Sequence, residues 1–268
     1  MTTPPIIAPA ARAHECGHLS RAIHPSKVCT FFCDADLTDT FKELVSRAAL
    51  PLAAVETDFA VDSSGFSVNT FVKWHNEKYG ELSGHEWVKA HIACGVKTNV
   101  ITAAAIYGRD AHDSPIMPEL VDQTAVGFKI GEVSADKRYL GRNNVDAVAK
   151  HNGTAFIAPK CNTTGGAGGL FEKMIHFYRF NREEYMDHYH KRSNVEATFS
   201  AVKRLFGDSV KSRNPVAMVN EVHAKFICYN LTCVVHSQLE LGIEANFSNV
   251  RRDPEPEPAI PKFVRPRG

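Results

Sequence analysis

Apolar positions change their spacing several times along the chain, and each change predicts an element. From Asp36 to Leu50 the residues Phe41, Leu44, Val45 and Ala48 recur at helical spacing, and Pro51 stops the run. Phe59-Ala60-Val61-Asp62 is short and β-prone, and Ser63-Ser64-Gly65 predicts a turn that closes it. Val68 to Trp74, Trp87 to Val96 and Val100 to Tyr107 are β-branched, aromatic or partly alternating, which predicts antiparallel strands in a row. A helix over Pro115 to Thr124 and a strand over Gly127 to Ser134 ending at Ala135-Asp136 follow. Next come a helix over Leu140 to His151 and a strand over Thr154 to Ala158, stopped by Pro159. Asn162 to Gly169 reads as a Gly/Thr loop, and Leu170 to about Leu241 as three helices, one of them spanning Asn181 to Phe206.

Strands in a row, then alternating helices and strands, then helices make a mixed α/β plan. Residues 1 to about 26 are weakly patterned and expected to be loose. After Val250 five prolines fall in the last eighteen residues, a composition that packs as neither helix nor strand. The expected organisation is a helical and irregular part over 1–50, a mixed α/β domain over 51–241 and a Pro-rich, disordered tail over 242–268.

Composition adds exclusions more than assignments. The chain of 268 residues is 44% hydrophobic and 23% charged, an ordinary globular balance. A net charge of +1 does not announce a nucleic-acid binder. Local charge is more telling: from Asp187 to Arg213 six Lys and Arg face three acids, which suits either a phosphate backbone or a solvated helix face. Seven cysteines, an odd number scattered along the chain, do not resemble a disulfide framework. No stretch reaches the ~18 apolar residues of a membrane helix, and no secretory signal is evident. A cytoplasmic protein is expected, so the sequons at Asn152, Asn162, Asn230 and Asn246 carry no glycan meaning.

The chemistry-bearing candidates are three acids. On a helix over Asn181 to Phe206, Tyr189, Arg192, Glu196 and Lys203 fall within about 60° of one another at ~100° per residue. Val195, Phe199, Val202 and Phe206 fill the adjacent arc, so Glu196 is expected at the rim of a core with cations beside it. Alone, Glu196 reads first as an ion-pair partner of Arg192. Asp62 and Asp136 each follow a strand, and each alone reads first as a turn residue. Together, three carboxylates on two strands and a helix can converge on hard cations such as Mg²⁺, which keep positions open for phosphate. Two such ions roughly 3.5–4 Å apart serve phosphodiester chemistry.

Other groups carry less. Cys16-x-His18 and Cys29-x3-Cys33 are irregular for a zinc finger and read as unrelated thiols. In His112-Asp113 and His188-x-His190 the histidines read as surface or loop residues, with metal ligands or general bases as the alternative. Trp74 and His75 suit core packing, with base stacking as the alternative. The run from Thr164 to Gly169 lacks the Lys-Ser/Thr that ends a phosphate-binding loop and reads as a flexible loop.

Tyr189-x2-Arg192-x3-Glu196-x6-Lys203 resembles, without a gap, the Tyr-Arg-Glu-Lys signature of bacterial insertion-sequence transposases with a DDE triad. Thr57 to Phe66 resembles their first-Asp motif, and Ser134 to Leu140 their second. The similarity runs from about residue 30 to 238. The resemblance implies an RNase H-like fold with a mixed sheet flanked by helices, and Mg²⁺ or Mn²⁺ on Asp62, Asp136 and Glu196. It implies DNA contacts from Tyr189, Arg192, Lys203 and Lys137. It further implies cleavage at element ends and strand transfer into target DNA, a homodimer on DNA, and a nucleoid-associated location. Arg138 stands where that family commonly has a small residue, and the region that binds element ends is expected to be missing. A truncated, non-catalytic DNA-binding remnant is therefore the alternative.

Overall fold

A long strand, β1 (Asp58–Val68), organises the molecule, and a computed structural model describes residues 23–68, 87–108, 111–161, 163 and 168–247 around it. β1 pairs antiparallel with β2 (Trp87–Gly95), which pairs antiparallel with β3 (Ile101–Gly108). On its other side β1 pairs parallel with β4 (Glu132–Ala135), which pairs parallel with β5 (Thr154–Ile157). The short β6 (Ser209–Val210) adds parallel to the far end of β1, giving a six-stranded sheet with the main order β3-β2-β1-β4-β5. This is the mixed, helix-flanked, RNase H-like plan that the resemblance implies.

One local expectation fails instructively. Ser63-Ser64-Gly65 does not turn the chain after Asp62, and Asp62 is not a strand end. β1 runs straight through, with Asp62 opposite Ile92, Ser63 opposite His91 and Gly65 opposite Lys89. Strand preference is set largely by what the neighbouring strand offers, and the β2 ladder outweighs the turn propensity of three small residues. The strand over Gly127 to Ser134 is likewise shorter, with only Glu132–Ala135 paired.

Period-two alternation sends the sheet's residues to two cores. Phe59, Val61, Ala93, Val133 and Ala135 pack against α3 (Met117–Ala125), α4 (Arg142–Lys150), α5 (Gly169–Phe180) and α6 (Arg182–His190). Ala60, Phe66, Val88, Ala90, Ile92 and Cys94 pack against α2 (Leu37–Ala49), α7 (Ser193–Phe206) and α8 (Pro215–Leu241). Each large apolar side chain fully buried there contributes about 1.5–3 kcal/mol.

Ahead of the expected helix over 36–50 stands one that the sequence reading did not assign: α1 (Pro25–Phe32), with the His24 side chain accepting from the Ser26 amide and Pro25 at its first turn. α1 and α2 pack on α8, and Val45 and Ala49 of α2 are fully buried, one in each core. Asn230 of α8 seals this junction. Its Oδ1 accepts from the Ile101 amide at 2.8 Å, and its Nδ2 donates to the carbonyls of Ile101 at 2.7 Å and Val45 at 2.9 Å.

Four helices, α5 to α8, occupy the stretch expected to hold three, and the single helix over Asn181 to Phe206 is divided. α6 ends at His190 and α7 begins at Ser193. Through the junction the amides of Arg192, Asn194 and Val195 reach back only three residues, to Tyr189, Lys191 and Arg192. Lys191 supplies the reason: its Nζ is held by both Asp58 and Glu132 at 2.7 Å, which draws the turn onto the sheet. All but Val68 of the expected strand from Val68 to Trp74, with His75, His14, Cys16, His18, most of the Gly/Thr loop and the chain after residue 247, lies outside the described residues.

Candidate functional site

Val61 stands opposite Ala135 in the parallel β1–β4 ladder. The next residue on each strand is an aspartate, Asp62 and Asp136. Because Val61 and Ala135 face one core, alternation turns the two acids to the other face, over which α7 lies. Glu196 arrives from the first turn of α7. The three acids of the sequence reading are therefore brought to one site.

Arg192, in the junction before α7, ties two of them. Its Nη1 lies 3.5 Å from Asp62 Oδ2 and its Nη2 2.8 Å from Glu196 Oε1. The Asp62 carboxyl is raised above its ordinary range, first by burial and then by the charges of Asp136 and Glu196. The Ser63 amide at 2.8 Å and Arg192 only partly oppose this. The Tyr189 phenol is also raised, by burial foremost, with Asp136 and Asp62 adding to it against Arg192, whose guanidinium sits 5.9 Å from the Tyr189 ring centre. Arg138 approaches from the opposite side, with Nε 3.8 Å from Asp136 Oδ2. Lys137 is exposed.

Lys203 is placed differently from a surface cation. It is half-buried, donates to Ser64 Oγ at 2.7 Å and lies 5.4 Å from the Phe66 ring centre. Its ammonium pKa is lowered, chiefly by burial. Ser64 shares the face of Asp62, so Lys203 flanks the acids two residues further along β1.

The donor set suits a hard divalent cation: all carboxylate oxygens, with like-charge repulsion that the arginines offset only in part. Among the described residues no three His, Cys, Asp or Glu side chains stand close enough together to enclose an ion. Glu196, 59% exposed, is drawn onto Arg192 instead. Tyr189 and Arg192 border Asp62 and Asp136, and Lys203 follows; the four signature residues do not lie on one continuous helix, because of the break at Lys191-Arg192.

The sequence reading gave Asp113 no role of its own and named it only beside His112. Asp113 is 9% exposed, and its contact with Ser63, which alternates with Asp62 along β1, places it on the face of the sheet opposite Asp62. Its Oδ1 accepts from Lys89 Nζ at 2.6 Å and Ser63 Oγ at 3.0 Å, with His91 Nδ1 at 3.6 Å, and its Oδ2 lies 3.8 Å from Arg138 Nη1. Burial pushes its carboxyl pKa up, but the Lys89 and Ser63 hydrogen bonds outweigh burial and hold it below the usual range. Burial moves the His91 imidazole down to about 4, so it is neutral at physiological pH. The only signal in the sequence was that Lys89 and His91 alternate on β2 toward the face that Ser63 shares.

Adjacent carboxylates on the two central strands of a 3-2-1-4-5 sheet, with a third on the covering helix, define an acidic-site domain of the RNase H-like class. The model of the transposase DDE domain matches residues 54–231, and the chain belongs to that family, whose substrate is DNA. No solved structure matches the chain. Among the described residues no helix is long and apolar enough to cross a membrane.

Proposed function

We propose that this transposase-family chain cleaves DNA strands at the ends of an insertion sequence and transfers them to target DNA, with Asp62, Asp136 and Glu196 holding Mg²⁺ or Mn²⁺. The observation that supports this reading most is the approach of the three carboxylates from β1, the end of β4 and α7, where the charges of Asp136 and Glu196 help to raise the carboxyl of the partly buried Asp62. Bound there, divalent ions would activate the attacking oxygen and stabilise the leaving one. Arg192 holds Asp62 and Glu196 in reach of each other and carries positive charge for a phosphate. Tyr189, packed beside Arg192, walls the site, Lys203 fixes Ser64 next to it, and exposed Lys137 offers a further phosphate contact. Residues 51–241 form the catalytic domain, acting as a dimer on DNA in the cytoplasm, at the nucleoid. The test is nicking of supercoiled plasmid with Mg²⁺ by the wild-type chain and by Asp62→Ala. Loss of nicking in the variant is expected, and equal activity of the two would sink the metal-triad reading.

One observation favours a second reading, DNA binding without cleavage. Arg138 sits between Asp136 and Asp113 where it competes with an added cation. A gel shift that is the same with and without metal, alongside absent nicking, would establish that reading.

A further inference from the structure

The strand that carries Asp62 is held from behind by groups that the proposed chemistry does not use. Ser63 points away from Asp62 to the lower face of the sheet, where its Oγ donates to Asp113 at 3.0 Å. Lys89 Nζ, on β2, binds the same carboxylate oxygen and also donates to the Ala111 carbonyl at 2.9 Å. The other carboxylate oxygen faces Arg138, two residues beyond Asp136. Tyr139, fully buried after Arg138, brings its hydroxyl to 3.3 Å from His91 Nδ1 in the same cluster. One carboxylate thus joins β1, β2, the segment after β3 and the turn after β4.

A fold that needed only stability here would be as well served by apolar side chains, because burying ions costs several kcal/mol before their attraction offsets it. The placement is informative: the two links that leave Asp113 toward the acids end one residue past Asp62 and two past Asp136. We infer that Asp113 is a positioning residue which, from beneath the sheet, fixes the backbone at Ser63 and the turn at Arg138 and so sets the separation of the Asp62 and Asp136 carboxylates. This rests on the reading of those acids as the cation-holding pair. Loosening the link leaves both carboxylates in place but lets their spacing vary, which weakens affinity for a divalent ion more than it weakens the fold. Outer groups that orient metal-holding side chains typically govern about 10–100-fold in metal affinity.

The experiment uses the whole chain without DNA and reads Mn²⁺ binding by electron paramagnetic resonance, with thermal melts beside it. Asp113→Asn is expected to bind Mn²⁺ roughly tenfold or more weakly, and to lose the rise in melting temperature that Mn²⁺ gives the wild type. Asp113→Glu, which restores the charge, is expected to recover part of the affinity. Asp62→Ala is the reference for the underlying reading. If Asp62→Ala binds Mn²⁺ as the wild type does, the acidic-pair reading itself fails. If Asp62→Ala loses binding and Asp113→Asn keeps wild-type affinity, the reading stands and the role of Asp113 is overturned. Should Asp113→Asn not fold, Ser63→Ala cuts the same link from the strand side. A several-fold weaker Mn²⁺ isotherm is then expected, and unchanged binding would overturn the inference.

Discussion

β1 and β4 carry two carboxylate pairs at the same offset, and the two ends are treated in opposite ways. At the entry of the strands, Asp58 stands opposite Glu132, and both accept from Lys191 Nζ at 2.7 Å, with His188 Nδ1 2.8 Å from Glu132. Four residues on, Asp62 and Asp136 face guanidinium groups at 3.5 and 3.8 Å, and among the described residues no ammonium closes on them. Consecutive residues, Lys191 and Arg192, serve the two ends. A compact ammonium in short contact with two carboxylates leaves no place for another cation. A planar guanidinium at longer range compensates charge while leaving the oxygens open. The first pair anchors the α6–α7 junction, and the second is the pair to which the proposed chemistry is assigned.

The largest effect expected is at the open pair. Asp136→Ala should reduce plasmid nicking by roughly a thousandfold or more, the ~4 kcal/mol scale of a lost electrostatic contribution to the transition state. Asp58→Ala, which leaves Lys191 its Glu132 partner, should stay within about threefold of wild type. Comparable losses in both variants would erase the distinction between the two ends.

The next effect is on stability and belongs to the closed pair. Lys191→Met leaves two mostly buried carboxylates without their ammonium and should cost about 2 kcal/mol, read as a fall of roughly 5 °C in melting temperature. A melting curve superimposable on the wild type would show that the clamp does not hold the junction.

The smallest effect runs the other way. The Asp62 carboxyl is raised above its ordinary value, mainly by burial, so folding disfavours its charged form. That penalty is absent below the ordinary carboxylate pKa of 3.8 and grows as pH rises through the raised one. Asp62→Asn should therefore stabilise the metal-free protein at pH 7 by a few tenths to about 1 kcal/mol, at the expense of activity. The gain should shrink as pH is lowered toward 4. Urea titrations at the two pH values measure this, and an Asn variant less stable than wild type at pH 7 would contradict it.

Much of the fold was legible because its elements are written in local periodicity. α2, α3, α4, β2, β3 and β5 follow from apolar spacing and from Pro51 and Pro159 as stops. The acids were legible through their neighbours: apolar strand residues before Asp62 and Asp136, and the spacing of Tyr189, Arg192, Glu196 and Lys203. The continuity of β1 was not legible, because a Ser-Ser-Gly run becomes strand only when β2 supplies its ladder. The helix break was equally hidden, because it depends on Lys191 meeting Asp58 and Glu132, which lie far away in sequence.

By itself, then, the sequence determined most of the element types and the mixed α/β class, and it singled out the acids proposed to hold a cation, since each is encoded within a few neighbouring positions. Tertiary structure alone decided which acids stay open and which are neutralised. It also buried the Lys203 ammonium against Ser64 and placed Asp113 under the strand that carries Asp62. Those outcomes depend on distance and burial between residues up to 139 positions apart, such as Ser64 and Lys203, and no local pattern carries that information.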